Sequence, residues 1–350
     1  MRIERYSPAD AGRWDAFVMG APEATFCHLS GWMAVIERVW GHSAESLLAV
    51  EDGEVAGVLP LYEVRSPFFS RLFSRMLVST PNAVYGGVVA RNAEARERLL
   101  DAAADRARRL DVDFLELREI ASPGGEASPA FVGQDLYVSF DHPISDDDQA
   151  LMRSLPRDVR RMIRQGEKQG LTAVFGREEL LDEFYEIYAA SVRNLGTPVF
   201  PKRLFAEFLR QFPDASDLLI IRQGSRAAGA VMSFYFRDTV MPYYGGAHKE
   251  FFRTGVNNFM YWTLMRRGGE RGHTRFDFGR SKRGTGACEF KRGWGMRETP
   301  LEYKYFLVRS RQAPNLNPLN PKYRLLVETW KRLPLSLTKL IGPRIVRNFP

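Results

Sequence analysis

The chain has 350 residues, 45% of them hydrophobic and 26% charged, enough to bury a substantial core and better suited to two domains than to one. Two cysteines, Cys27 and Cys288, exclude a disulfide framework and offer no paired spacing for zinc, so no metal is expected. A formal charge of +8 calls for an anionic partner, which charge alone leaves open among nucleic acid, an acidic carrier protein, a phosphate-bearing cofactor and an anionic membrane surface.

The first residues lack the charged-then-apolar layout of a signal peptide and no apolar run reaches bilayer length, so a cytoplasmic location is expected. A helix is expected over 29–39. An apolar run at 47–50, the turn Glu51-Asp52-Gly53-Glu54 and a second apolar run at 55–61 predict a β-hairpin. Tyr85-Gly86-Gly87, a helix over 93–110 and a strand over 112–120 follow. The same order then recurs: a helix over 178–194, apolar runs at 218–221 and 227–234 about a turn at Gly224, Tyr244-Gly245-Gly246, a helix over 256–271 and a strand over 274–279. The repetition predicts a duplicated α/β unit. Gly, Pro and Ser between 121 and 134 and an acidic stretch at 141–148 put the boundary near residue 145, giving modules at 1–145 and 146–310. Prolines and asparagines from Ala313 to Pro321 mark a linker, so 311–350 reads as linker plus basic tail. Between Lys322 and Arg347 the tail carries seven Lys or Arg against Glu328, interleaved with leucines and broken by Pro334. Such a segment suits peripheral contact with the inner face of a membrane, or a helix packed on the protein.

Chemistry concentrates in the second copy. Arg253, Thr254, Gly255, Val256 and Asn257 join the Gly-Gly strand to the next helix, where free first-turn N–H groups and the helix dipole favour an anion. A plain strand-to-helix turn is the alternative. Further on, Phe276 and Phe278 share one strand face and Asp277 and Gly279 the other. Glycines and basic residues from Gly279 to Gly295 read as a loop that brings backbone N–H groups and positive charge to a ligand. His248 and Cys288 show no His-Cys-acid order, so covalent catalysis is not expected.

These residues carry a family resemblance. The strand ending Asp277-Phe278-Gly279, the Arg280-Ser281 pair, Gly284-Thr285-Gly286 and Phe290-Lys291-x-x-Trp294-Gly295 resemble the matching block of FemAB-type acyltransferases, most closely the FemAB-like proteins of exosortase A and PEP-CTERM systems. The segment at Arg253 and Gly255 resembles a degenerate acyl-coenzyme A loop of GNAT acetyltransferases, without the usual intact Gly-rich run. The resemblance implies two tandem GNAT-like α/β modules with mixed sheets and a basic helical tail. It also implies transfer of an acyl group to an amine, in exopolysaccharide or cell-envelope metabolism. The donor would be acyl-CoA, an acyl carrier protein or aminoacyl-tRNA, bound as a co-substrate.

On that footing Lys291 is expected to stabilise an oxyanion or a leaving group. Asp277 would orient or deprotonate the acceptor amine, or instead form a salt bridge to Arg280 or Arg283. Tyr244, beside Tyr243, would protonate a leaving group, or be a core aromatic. Arg280, Ser281, Lys282, Arg283, Thr285 and Trp294 are expected near acceptor or phosphate groups. The resemblance adds the loop from Asn194 to Phe200 as a wall of the acceptor pocket, with Arg193 and Thr197 as polar contacts. A helix from Arg157 puts Arg157, Arg160, Arg161, Arg164 and Lys168 along one face, either solvated or docking an acidic partner. Three readings follow: thioester-dependent N-acyl transfer, aminoacyl-tRNA-dependent transfer to an envelope precursor, and a non-catalytic GNAT-like binding module.

Overall fold

The computed structural model describes residues 1–66, 74–120, 130–314 and 321–349, with 321–324 in backbone only. The predicted linker segments at 121–129 and 315–320 lie outside the described residues. The chain divides into two units: residues 1–137, 300–315 and 347–350 form one, and 138–299 with 316–346 the other. The sequence reading drew the boundary near residue 145 and set 311–350 apart, whereas most of that tail groups with the second unit.

The first unit begins with β1 (Arg2–Arg5), α1 (Ala11–Gly20) and α2 (Ser30–Trp40), followed by the short β2 (Ser43–Ala44). The predicted hairpin is β3 (Leu47–Glu51) and β4 (Glu54–Leu59), closed by Asp52 and Gly53, both in left-handed conformation as a tight two-residue turn demands. Next come β5 (Tyr62–Ser66), β6 (Ser74–Val78), β7 (Val89–Ala90), α3 (Ala93–Arg109) and β8 (Phe114–Ile120). Helix α3 starts where the Asn92 side chain accepts the Ala95 N–H, and buries Ala95, Leu99, Ala103 and Ala107. Gly57 lets it approach, since a Cβ there would stand 2.9 Å from Leu99 Cδ1. One sheet has the order β1-β3-β4-β7, and β8, β6, β5 and β2 are neighbours in that order in a second, larger sheet.

The long β9 (Val132–Pro143) enters the second unit at Val138. There follow α4 (Asp148–Ser154), α5 (Arg157–Lys168), β10 (Leu171–Gly176), α6 (Leu181–Leu195), α7 (Lys202–Gln211), β11 (Ser216–Gln223), β12 (Arg226–Phe236), β13 (Thr239–Ala247), α8 (Val256–Glu270), β14 (Arg275–Lys282), α9 (Gly286–Arg292) and β15 (Arg297–Leu307). The tail supplies α10 (Pro321–Arg332) and α11 (Leu335–Val346). Strands β10 to β13 pair antiparallel in sequence, β13 and β14 pair parallel, and β9 lies beyond β14.

Two cores sandwich this sheet. Val159 and Ile163 of α5 and Met260 and Leu264 of α8 pack with Leu219, Ile221, Val231 and Tyr235. On the other face, Tyr188 of α6 and Phe205 of α7 meet Tyr244 edge-to-face, Phe208 of α7 meets Phe234 in the same way, and Phe184 of α6 packs edge-on against Phe205. Two expectations need correction. The stretch from Gly279 to Gly295 is not one loop, because β14 runs to Lys282 and α9 follows, with the Thr285 hydroxyl accepting the Cys288 N–H at 3.4 Å and Cys288 turned inward. The two Gly-Gly motifs also differ: Tyr244-Gly245-Gly246 lie within β13, whereas Gly86 makes a single bridge to Arg118 and β7 begins only at Val89.

Candidate active site

The site is built where β13 and β14 part. Their parallel ladder consists of Thr239 with Arg275 and Val240 with Phe276, although β13 runs on to Ala247 and β14 to Lys282. The cause is local. Met232 pairs with Tyr244 and Ser233 with Pro242, so Tyr243 is an extra residue in β13. Such a bulge raises local twist and turns a strand away from its neighbour. The parting strands leave Tyr243 to Gly246 on one side and Phe278 to Ser281 on the other.

At the far end of β13 a 3-10 turn, Lys249–Thr254, leads to Gly255 and α8. Gly255 has φ of +83°, and a Cβ on it would lie 2.3 Å from the carbonyl oxygen of Met162 in α5. Glycine is thus required twice over, by conformation and by space. The first-turn N–H groups of Val256, Asn257 and Asn258 precede the first helical bond, from Phe259 N to Gly255 O. The turn before them closes on itself: Phe251 N–H donates to His248 O, Gly255 N–H to Phe252 O, and the Thr254 hydroxyl to Phe251 O. Arg253 is exposed and Asn257 half-buried, while Val256 is buried. The helix terminus can therefore take an anion, but the turn spends N–H groups that a Gly-rich phosphate loop would present. For coenzyme A this is a partial fit.

Lys291 holds the end of β14. Its ammonium donates to the carbonyl oxygens of Phe278, Gly279 and Arg280 at 2.5, 3.0 and 2.9 Å, using all three of its N–H bonds. Gly279, with φ of +69°, turns the strand so that consecutive carbonyls converge on one point. Burial pulls the amine down from its ordinary 10.5 to about 8, against the opposing pull of Asp277. The amine cannot also reach an oxyanion directly. Its action passes through the strand it grips.

Asp277 is buried, and one carboxylate oxygen accepts the Gly279 N–H at 2.8 Å and the Ser139 hydroxyl at 3.4 Å. This fixes the turn that Lys291 holds from the other side. Arg283 pairs with Glu298 at 3.0 Å, and Arg292 grips the same carboxylate, a partner no local motif announced. Ser281 is buried, and its Oγ makes no hydrogen bond. Arg280 and Lys282 are half-buried, and burial lowers the Lys282 pKa. The structure thus gathers Asp277, Arg280, Ser281, Lys282 and Lys291 along one strand end.

The other expected residues have contacts or positions of their own. Thr285 caps α9 and donates to Lys282 O. Trp294 is buried against Phe278 and Tyr261 at centroid distances of 5.6 and 6.1 Å. Tyr244 sits among Tyr188, Phe200, Phe205 and Phe208 in the aromatic core. Arg193 donates to Leu333 O in the tail, and Thr197 is exposed just past the helix end at Gly196.

On α5 the basic row Arg157, Arg160, Arg161, Arg164 and Lys168 lines a shallow concavity of about 440 Å³, while the opposite face packs on α8. The first unit has a hollow of about 590 Å³ beside Gly87 and the start of α3. Its buried Glu119 is already paired with Arg96 and Lys304.

Comparison with known proteins agrees with this architecture. No curated protein matches the chain in sequence. Among solved structures, FemX aligns with a TM-score of 0.67 at 17% identity, covering 93% of this chain and all of that one. L-PGS from Bacillus licheniformis aligns with a TM-score of 0.55 at 11% identity, covering 94% of this chain and 99% of the other. The C-terminal domain ascribed to a lysylphosphatidylglycerol synthetase of Agrobacterium fabrum gives 0.56 at 13% identity, covering 85% and 91%. At these identities the likeness is one of fold, that of tandem GNAT-like modules. Residues 153–292, spanning α5 to α9, match the model of the acetyltransferase (GNAT) domain.

Proposed function

We propose that the second unit is an N-acyltransferase that moves an acyl group from a thioester to an amine in the gap between β13 and β14. The observation that carries this reading is the parting of two parallel strands after two residue pairs, with a helix N-terminus at one end of the gap and a charge-supported turn on its wall. The amine nitrogen attacks the thioester carbonyl, a C–N bond forms, the C–S bond breaks, and the departing thiolate takes the proton the amine gives up. The carbonyl oxygen gains charge on the way, and fixed dipoles stabilise it best because they need no reorganisation. Peptide N–H and C=O point in opposite directions across a trans peptide, so the carbonyls drawn to Lys291 hold the Arg280 and Ser281 N–H groups facing away from the ammonium. Those two N–H groups are the assigned oxyanion donors, and Lys291 is their positioning residue. Asp277 fixes the same turn through Gly279, and the buried Ser281 hydroxyl meets the substrate.

The closed turn before α8 favours a donor whose affinity comes from elsewhere than a pyrophosphate cradle. A thioester on the phosphopantetheine arm of a carrier protein answers this better than free acyl-CoA. A second reading, aminoacyl-tRNA as donor, draws on the arginine row of α5, which suits a phosphodiester backbone. The resemblance to the exosortase-associated FemAB branch favours an acceptor from exopolysaccharide or envelope assembly.

The test supplies acyl carrier protein, acyl-CoA and aminoacyl-tRNA, each labelled in the acyl group, with a panel of amines. Transfer from the thioesters supports the proposal. Transfer from aminoacyl-tRNA alone replaces it with the second reading, and no binding or transfer from any donor leaves a binding module.

A further inference from the structure

Ten large hydrophobic side chains stand exposed among the described residues, and four of them fall within two consecutive helices of the tail. Leu325 and Leu326 on α10 are 76% and 66% exposed, and Leu340 and Leu337 on α11 are 61% and 38% exposed. Both helices are held by their other faces. Arg193 donates to Leu333 O between them, Lys339 pairs with Glu186 of α6, and Val327 of α10 reaches within 2.4 Å of where a Cβ on Gly196 would be. Gly342 lies so close to Val199 that a Cβ would stand 2.7 Å from its backbone nitrogen. The leucines therefore face outward because the inward positions are filled. Leu195, next to Gly196 in the chain, is itself 70% exposed.

Charge says what covers this face. On α11, Leu337, Leu340 and Arg344 recur at three- and four-residue spacing on one side, opposite the buried Thr338, Gly342 and Val346. On α10, Arg332 is exposed about two turns beyond the leucines. From Lys322 to Arg347 the sequence carries seven Lys or Arg and a single acid, Glu328. A protein partner would need an acidic rim about an apolar centre, whereas a bilayer of anionic phospholipid provides both over any area. No helix among the described residues is long and apolar enough to cross a membrane, so the contact is peripheral. We propose that the outer face of α10 and α11 lies on an anionic membrane surface, with leucines entering the acyl boundary and cations meeting phosphate headgroups.

The test is flotation of the full chain with vesicles of phosphatidylcholine alone or with 40% phosphatidylglycerol added. The expected result is at least ten-fold greater recovery with the anionic vesicles and loss of most of it in 0.5 M salt. The triple variant Leu325→Glu, Leu326→Glu, Leu340→Glu should bind at least ten-fold less. Arg332→Glu with Arg344→Glu should reduce binding without changing the sedimentation of the free chain. Absence of wild-type binding to anionic vesicles overturns the proposal, as does equal binding by the leucine variant. So does light scattering that shows a dimer dissolved by the leucine substitutions, which would make a second copy the occupant.

Discussion

Replacing Lys291 with methionine removes the ammonium while nearly keeping its length. The expected result separates stability from activity. Lowering the amine from its ordinary 10.5 to about 8 corresponds to about 3 kcal/mol by which the fold disfavours the charged form. The folded chain holds this proton less tightly than the unfolded chain. Unfolding between about pH 8 and pH 10.5 therefore takes up a proton, and stability rises with pH through that window by up to about 3 kcal/mol. Below about pH 8 both states are protonated and the burial cost is carried in full. Methionine escapes that cost but leaves three carbonyls without their ammonium donor, each worth about 1 kcal/mol. The two effects offset, so Lys291→Met should change stability at pH 7 by less than about 2 kcal/mol, whereas loss of the fixed turn should lower kcat by about 10²-fold. Urea titrations from pH 7 to 10.5, taken as wild type minus variant, should slope upward above pH 8. A flat difference curve, or full activity in the variant, would refute the reasoning.

Asp277→Asn keeps an oxygen to accept the Gly279 N–H, so kcat/KM should stay within about ten-fold of wild type, and Asp277→Ala should fall well below it. A dead Asn variant with unchanged stability would instead make Asp277 the base. Ser281→Ala should leave the urea midpoint unchanged, because the buried Oγ has no hydrogen bond to lose, yet lower kcat/KM about ten-fold; unchanged kinetics would remove the hydroxyl from the site. Gly255→Ala should cost about 2 to 3 kcal/mol, since its Cβ meets Met162 O and its backbone is left-handed; a loss below about 0.5 kcal/mol would contradict the close α5–α8 contact.

The hairpins and paired helices were legible because their signals are local: Asp52-Gly53 dictates its turn, and apolar spacing marks α3, α5 and α8. Helix α7 was missed. It follows Pro201 directly, and its buried Phe205 and Phe208 find their partners Tyr188 and Phe234 far along the chain. The Asp277 to Gly295 stretch was recognisable by composition, but its geometry was not. Its glycines and basic residues suggested a loop, whereas the Thr285 cap and the inward Cys288 make α9, and that helix carries Lys291 to three carbonyls eleven to thirteen residues earlier. Glu298 and Ser139 escaped notice because their contacts with Arg283 and Asp277 exist only once distant strands are aligned. Arg193 and Trp294 have the residue types of a ligand site but are taken up by the tail and the core.

Hydrogen exchange with a non-transferable thioester analogue, carried on phosphopantetheine, tests the central claim most directly. Protection confined to 241–247, 256–258 and 277–282 would place the donor in the gap between β13 and β14. Binding without protection in those segments would contradict the account.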